Sequence, residues 1–318
     1  MKLLDADDVR RLLPMADAID CMEETMIHVS QGKANLPLRT VMDIDGTNKL
    51  GIMPGAMTLD DGAETLYGIK VLSLFPGNPA KGLSSHIGVV VLFDPTTGAP
   101  EIAMNADAVT AIRTAAASAA ATRKLANGEA KSLAIVGTGE QAESHLEALC
   151  LVCNFSEVRI AGRTKEKAEN FIASVKPHHP DVTFIAAPDI QSAVADADVV
   201  CSVTSTAEPV LFGEWIGPGT HVNAVGASMP FVQEIDETLL LKSELFTDYR
   251  PSALAQAKEI ISAIESGKIS EDHIRAEIGE VFSGSKSGRR SADAITLYRS
   301  LGVAAQDLAA ADLVRKRA

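Results

Sequence analysis

LAIVGTGEQAESHLEAL, residues 133–149, is the stretch that decides the fold. An apolar run meets Gly137-Thr138-Gly139, and a helical pattern opens at Glu140 and Gln141 with no loop between. Gly137 to Ala142 spells G-x-G-x-x-A. In a strand–turn–helix the first glycine makes the tight turn and the second lets backbone approach a pyrophosphate. The small third residue lets the helix pack on the strand. The helix amides then face the anion. The flanking strand and helix turn a weak motif into a dinucleotide-binding expectation for Gly137, Thr138, Gly139, Glu140 and Gln141.

Downstream, strands and helices alternate: VRIAG, a helix from TKEKAENF, TFIAA, a short helix at DIQSAVADA, then DVVCSVT, THVNAVG and SELFTDY. That order predicts a parallel sheet built from βαβ units. The acid that usually grips the ribose is missing from the end of the second strand. Glu157 lies 20 residues after Gly137, but it precedes VRIA and so sits at the wrong end. The right end carries Arg163, Thr164 and Lys165. Two cations and a hydroxyl there suit a 2′-phosphate, which favours NADPH over NADH. Thr204, and Gly226 with Ser228, fall at further carboxyl ends of strands, where small residues admit a cofactor ring.

Upstream, apolar residues at helical spacing over 5–31, broken at Pro14, predict two helices. RTVMDI, LGIMPGAM, LYGIKVLSLF, IGVVVLFD and PEIAMN predict a mainly antiparallel sheet. Residues 106–128 read as a long alanine-rich helix, capped by Asp107 and ended by Gly128. The tail from Ser291 reads as helical again. The expected class is α/β, a Rossmann-type parallel sheet domain plus an α+β domain.

Composition narrows the partners. A net charge of −13 disfavours nucleic acid and anionic membrane. No apolar run is long enough for a membrane span, and the opening MKLLDADDVRRLL has no signal-peptide pattern, so a cytoplasmic location is expected. Cys21, Cys150, Cys153 and Cys201 form no zinc set and read as packing residues. His178-His179 sits in a polar, proline-flanked loop, and no metal is expected.

Three cations stand in apolar surroundings. Lys70 alternates onto the face of Leu72, Arg39 lies in LPLRTVM, and Arg113 lies in the small-residue helix TAIRTAAAS. A charge on an apolar face is costly unless paired or bound to a ligand. Guanidinium groups clasp carboxylates. The three predict a site for an anionic substrate.

The chain resembles the ornithine cyclodeaminase/mu-crystallin family over nearly its whole length. LPLRTVM, GIMPG, GIKVLSLFPGNP, SSHIGVVVLFDPTTG, AIRTAAASAAATRKLA, VGTGEQAESH, GRTKEKAENF, EPVLFGEWIGPGTHVNAVGAS and YRSLGVAAQD carry the resemblance. Its ketimine and imino-acid reductase branch is the most similar. The resemblance implies a homodimer, with residues 1–113 and 300–318 forming the substrate-binding and dimerisation domain and 114–299 the Rossmann domain. It places Arg39, Lys70 and Arg113 on substrate positions. It places Ser85, His86, Arg113, Thr114, Gln141, Arg163, Thr164, Thr204, Val225 and Ser300 on cofactor positions. Ser228 stands where true cyclodeaminases carry an aspartate, and Gly51 where they carry a glutamate, so cyclodeamination loses its acid/base groups. The implied activity is NAD(P)H-dependent reduction of an α-imino acid or cyclic ketimine. Lys70 would be the hydrogen-bond donor and proton source, with His86 a second candidate. Alanine-dehydrogenase-like amination, ornithine or lysine cyclodeamination, and non-catalytic small-ligand binding are the alternatives.

Overall fold

The computed structural model describes residues 1–59 and 64–318. In chain order its elements are β1 (Lys2–Leu4), α1 (Ala6–Leu12), α2 (Met15–Ser30), β2 (Ala34–Asn35), β3 (Thr40–Asp43), β4 (Lys49–Leu59), β5 (Glu64–Leu74), β6 (His86–Phe93), β7 (Pro100–Asn105) and α3 (Ala106–Leu125). Then come β8 (Ser132–Val136), α4 (Glu140–Val152), β9 (Glu157–Ala161), α5 (Lys165–Val175), β10 (Thr183–Ala186), α6 (Ile190–Val194), β11 (Val199–Ser202), β12 (His221–Ala224) and α7 (Glu237–Lys242). The chain closes with β13 (Glu244–Thr247), α8 (Arg250–Gln256), α9 (Lys258–Glu265), β14 (Ile274–Glu277), α10 (Ile278–Phe282), β15 (Thr296–Arg299) and α11 (Ala304–Arg317). It divides into two compact units, 1–116 with 302–318, and 117–301.

The first unit is a seven-stranded sheet in the order β1-β7-β6-β5-β4-β2, with β3 also on β4. Its pairings are antiparallel except β1 with β7. Helix α11 lies on β4, β5 and β6 and beside α2. Its approach depends on a missing side chain: a Cβ on Gly68 would stand 2.2 Å from the Val91 carbonyl oxygen and 2.9 Å from Leu308. Met22, Met26, Met57, Val90, Leu92 and Leu308 fill the core beneath.

The second unit holds eight parallel strands in the order β10-β9-β8-β11-β12-β15-β13-β14. Its strands are short, and the central β11, β12 and β15 are buried on both faces, as parallel strands between helix layers are. The register aligns Ala161, Val136, Ser202, Ala224, Arg299 and Thr247 along one carboxyl edge. Ligands bind along such an edge in doubly wound sheets.

Three sequence expectations change. The tail is not wholly helical: Thr296–Arg299 is a central strand, and helix resumes only at Ala304. The start of α3 is capped by the Asn105 side chain, which accepts from the Ala108 amide at 2.9 Å, and not by Asp107. Asp107 lies inside the first turn, its carboxyl pushed up by burial despite hydrogen bonds from Gly88 and Ser84. The same helix ends at Leu125, before Gly128. No helix among the described residues is long and apolar enough to cross a membrane.

Candidate active site

Within the first unit the three cations come together. Lys70 on β5 is 2% exposed and Arg113 on α3 is 5% exposed. What the sequence reading missed is the group between them. Asp307, fully buried on α11, accepts from Lys70 Nζ at 2.8 Å and from Arg113 Nε at 2.9 Å, both on Oδ1. Its Oδ2 has no hydrogen-bond partner among the described residues. Thr110 accepts from Lys70 Nζ at 3.2 Å, and Gln306 Oε1 accepts from Arg113 at 2.8 Å. Arg39 donates to the Gly302 carbonyl at 2.7 Å, and a Cβ on Gly302 would lie 2.6 Å from an Arg113 nitrogen. The two guanidinium groups thus meet the same glycine.

The charges act on one another. Burial is the largest influence on Lys70 and lowers its pKa; Asp307 opposes it, Arg113 and Arg39 add to it, and the balance is about 8. Burial alone would raise Asp307, but Arg113 and Lys70 together hold its carboxyl below the ordinary range. Two cations share one carboxylate oxygen here, so Asp307 does not cancel them both. Such a cluster suits an anionic ligand.

Ser85 and His86 open β6 of the same unit. The Ser85 hydroxyl lies 2.9 Å from His86 Nδ1, and the imidazole sits below its ordinary value through desolvation and then the Lys70 charge. Thr114 follows one residue after Arg113 on α3 and is buried.

In the second unit the glycine turn leaves β8 as the sequence reading expects. Gly137 has φ +133°, and a Cβ there would stand 2.9 Å from a Val203 methyl and 3.0 Å from the Val203 carbonyl oxygen. No atom comes within 4 Å of a Cβ built on Gly139, the N-cap of α4. Ala142 is buried where the helix meets the sheet. Thr138, Gly139 and Glu140 open onto a cavity of about 580 Å³, bounded further by Glu143, Lys167 and Phe171. Gln141 follows in the first turn, its Oε1 buried without a hydrogen-bond partner among the described residues. The end of β9 leads to Arg163, Thr164 and Lys165, all exposed. Thr164 caps α5, accepting from Lys167 N at 3.3 Å, while Lys165 faces Glu169 at 3.6 Å. Glu157 stands at the opposite end of β9 and pairs with Arg159.

Two buried charges escaped the sequence reading and organise the carboxyl edge. Glu234 Oε1 accepts from Ser202 Oγ, from Thr204 N and from Thr204 Oγ1 at 2.7–2.8 Å, and Oε2 accepts from Gly226 N at 2.7 Å. It lashes together the segments leaving β11 and β12. Gly226 has no alternative there, since a Cβ would lie 1.9 Å from the Thr204 carbonyl oxygen. The hydroxyl of Thr204 is therefore already committed. Arg299, at the end of β15, pairs with buried Glu259 and donates to the carbonyls of Ala224, Ala227 and Ser300. It braces the run containing Val225 and Gly226 and leading to Ser228. Next to it, Ser300 Oγ is buried without a hydrogen-bond partner among the described residues. A glutamate in a loop and an arginine in a segment read as helix gave no sequence signal of these roles.

The other titratable candidates are structural. Asp236 caps α7, and Glu277 with Glu280 forms the capping box of α10. The cysteines are unpaired, and burial lifts the Cys150 and Cys153 thiols to about 11. No metal-holding cluster exists among the described residues.

A model of the ornithine cyclodeaminase/mu-crystallin family matches residues 1–318. The ketimine reductase mu-crystallin of Rattus norvegicus is 37% identical over 316 residues, which cover 98% of this chain and 95% of its own. The Thermococcus litoralis Δ1-pyrroline-2-carboxylate reductase, solved with NADH and L-proline, superposes with a TM-score of 0.93 at 34% identity. That match covers 100% of this chain and 97% of the other. An archaeal alanine dehydrogenase dimer with bound NAD superposes with a TM-score of 0.90 at 31% identity, covering 99% and 95%.

Proposed function

Because the chain belongs to the ornithine cyclodeaminase/mu-crystallin family, we propose that it is an NAD(P)H-dependent reductase of α-imino acids or cyclic ketimines, yielding an L-amino acid. The observation that carries this reading is the buried Lys70–Asp307–Arg113 cluster with Arg39 beside it. A plain ligand-binding site does not need a desolvated lysine whose pKa lies near neutrality. Proton transfer to an imine nitrogen does.

The residues divide the work. Arg39 and Arg113 bind the substrate carboxylate, and Arg113 also reaches the cofactor. Lys70 hydrogen-bonds the imine nitrogen and supplies its proton. A reduced nicotinamide, when bound, supplies the hydride that the imine carbon accepts. The second unit fits such a dinucleotide. The Gly137 turn has no room for a side chain, Gly139 leaves the start of α4 open, and the buried Ser300 hydroxyl and Gln141 Oε1 lack hydrogen-bond partners among the described residues. Thr138, Glu140, Thr204, Val225, Gly226 and Ser228 complete the cofactor surface of the second unit, and Ser85, His86 and Thr114 are the cofactor positions that the family resemblance assigns in the first. Arg163, Thr164 and Lys165, where the strand end itself carries no acid, favour NADPH over NADH. The substrate class includes pyrroline-2-carboxylate, piperideine-2-carboxylate and iminosuccinate. The enzyme works as a homodimer, as the similar alanine dehydrogenase does.

A panel of imino acids formed in solution, with oxidation of NADPH and NADH followed optically, tests the reading. Imine-dependent oxidation, faster with NADPH, is expected. Turnover with pyruvate and ammonia alone would favour alanine dehydrogenase chemistry. Ammonia release from ornithine without added reductant, and no imine-dependent oxidation, would overturn the proposal.

A further inference from the structure

We infer that Asp307 is a positioning residue for the reaction: its carboxylate fixes the Lys70 ammonium in place and in charge. The inference rests on the imine-reductase reading and goes beyond it. It assigns a role to a residue on the last helix, 237 positions from the lysine it serves.

The argument begins with what surrounds Lys70. From α3 come Thr110, an uncharged acceptor, and Arg113. Arg39, just ahead of β3, lowers the Lys70 pKa through its charge, and the Lys70 charge in turn lowers that of His86 at the start of β6. Across the β4 pairing stands Met53. Among the described residues, Asp307 is the one carboxylate paired with Lys70, and the other charges acting on it are the guanidinium groups of Arg113 and Arg39. Without that carboxylate a buried ammonium would face two guanidinium groups with only a threonine hydroxyl to accept from it, and it would shed its proton. Lys70 would then have none to give to an imine.

Geometry supports position as well as charge. Asp307 Oδ1 accepts from both Lys70 Nζ and Arg113 Nε, so one atom sets the spacing between the proposed proton donor and the proposed carboxylate clasp. Helix α11 can deliver it because Gly68, two residues before Lys70 on β5, leaves room for Leu308.

The test compares the parent enzyme with Asp307→Asn. Two activities are followed against pH: imine reduction, which needs charged Lys70, and amine oxidation, which needs it neutral. In the variant both limbs are expected to move to lower pH together, by about one unit or more. A merely structural role would lower both rates and leave the limbs in place. Carbon-13 chemical shifts of labelled lysine, with the Lys70 signal assigned by its loss in Lys70→Arg, report the same titration in protein without substrate or cofactor. Should Asp307→Asn yield too little folded protein, Asp307→Ser, with space for a water, carries the same comparison. Asp307→Glu must restore the parent limb. A Lys70 titration unchanged in the folded Asn or Ser variant overturns the inference. A parent enzyme inactive on every imino acid overturns the functional reading instead, and the lysine titration still decides the role of Asp307.

Discussion

Lys70 shows how one residue can carry a site. Alternation along β5 turns it into the core, where a charge is tolerated only with a partner. Its pKa of about 8 gives a definite sign: the ammonium that reduction uses is present below that pH and lost above it. The reduction rate at saturating substrate is expected to fall as pH rises through about 8, while amine oxidation rises. Lys70→Met is expected to cut turnover about 100-fold or more, with the circular dichroism spectrum retained. Full turnover in that variant would remove the lysine from the mechanism. The burial of Lys70 and Arg113 was legible in the sequence because charge on an apolar face is anomalous there, whereas Arg39 is only half-buried. Asp307 was not legible. It sits in AAQDLAAADLV, where alanines surround two acids and periodicity does not distinguish a core position from a solvated one. Both acids are in fact buried, Asp307 at 0% and Asp312 at 4% exposure.

Among the elements, the ends of strands matter more than their middles. The βαβ series and the glycine turn followed from pattern and turn chemistry, because each is a local signal. Strand β15 did not: four residues are too few to show a period, and the alanine-rich stretch after it suggested helix. Missing that strand also hid Arg299, whose role exists only at a carboxyl edge. The Glu234 lash makes Gly226 the most sensitive point of that edge. Gly226→Ala would drive a methyl into the Thr204 carbonyl, so the segment must shift. NAD(P)H affinity, read from cofactor fluorescence, is expected to weaken about tenfold or more, and unchanged affinity would exclude this edge from the cofactor site. Asn105→Ala is a milder change. Loss of the α3 cap is expected to cost about 1 kcal/mol in urea unfolding, with the catalytic constants preserved.

At the scale of the whole molecule, the homodimer is testable directly. Sedimentation equilibrium is expected to give twice the 33.5 kDa chain mass, and a monomer at micromolar concentration would refute it. The division of the chain was only partly legible. A β-rich first part and a βαβ second part could be read from pattern, while joining the final residues to the first part was an expectation carried by the family resemblance. That joining bears on biosynthesis. The first unit takes its last helix from residues beyond 301, after the second unit is complete. On the ribosome, then, the part translated first is finished last. Until residue 307 emerges, Lys70 and Arg113 lack the carboxylate that pairs with both in the folded protein, and the first sheet lacks its covering helix.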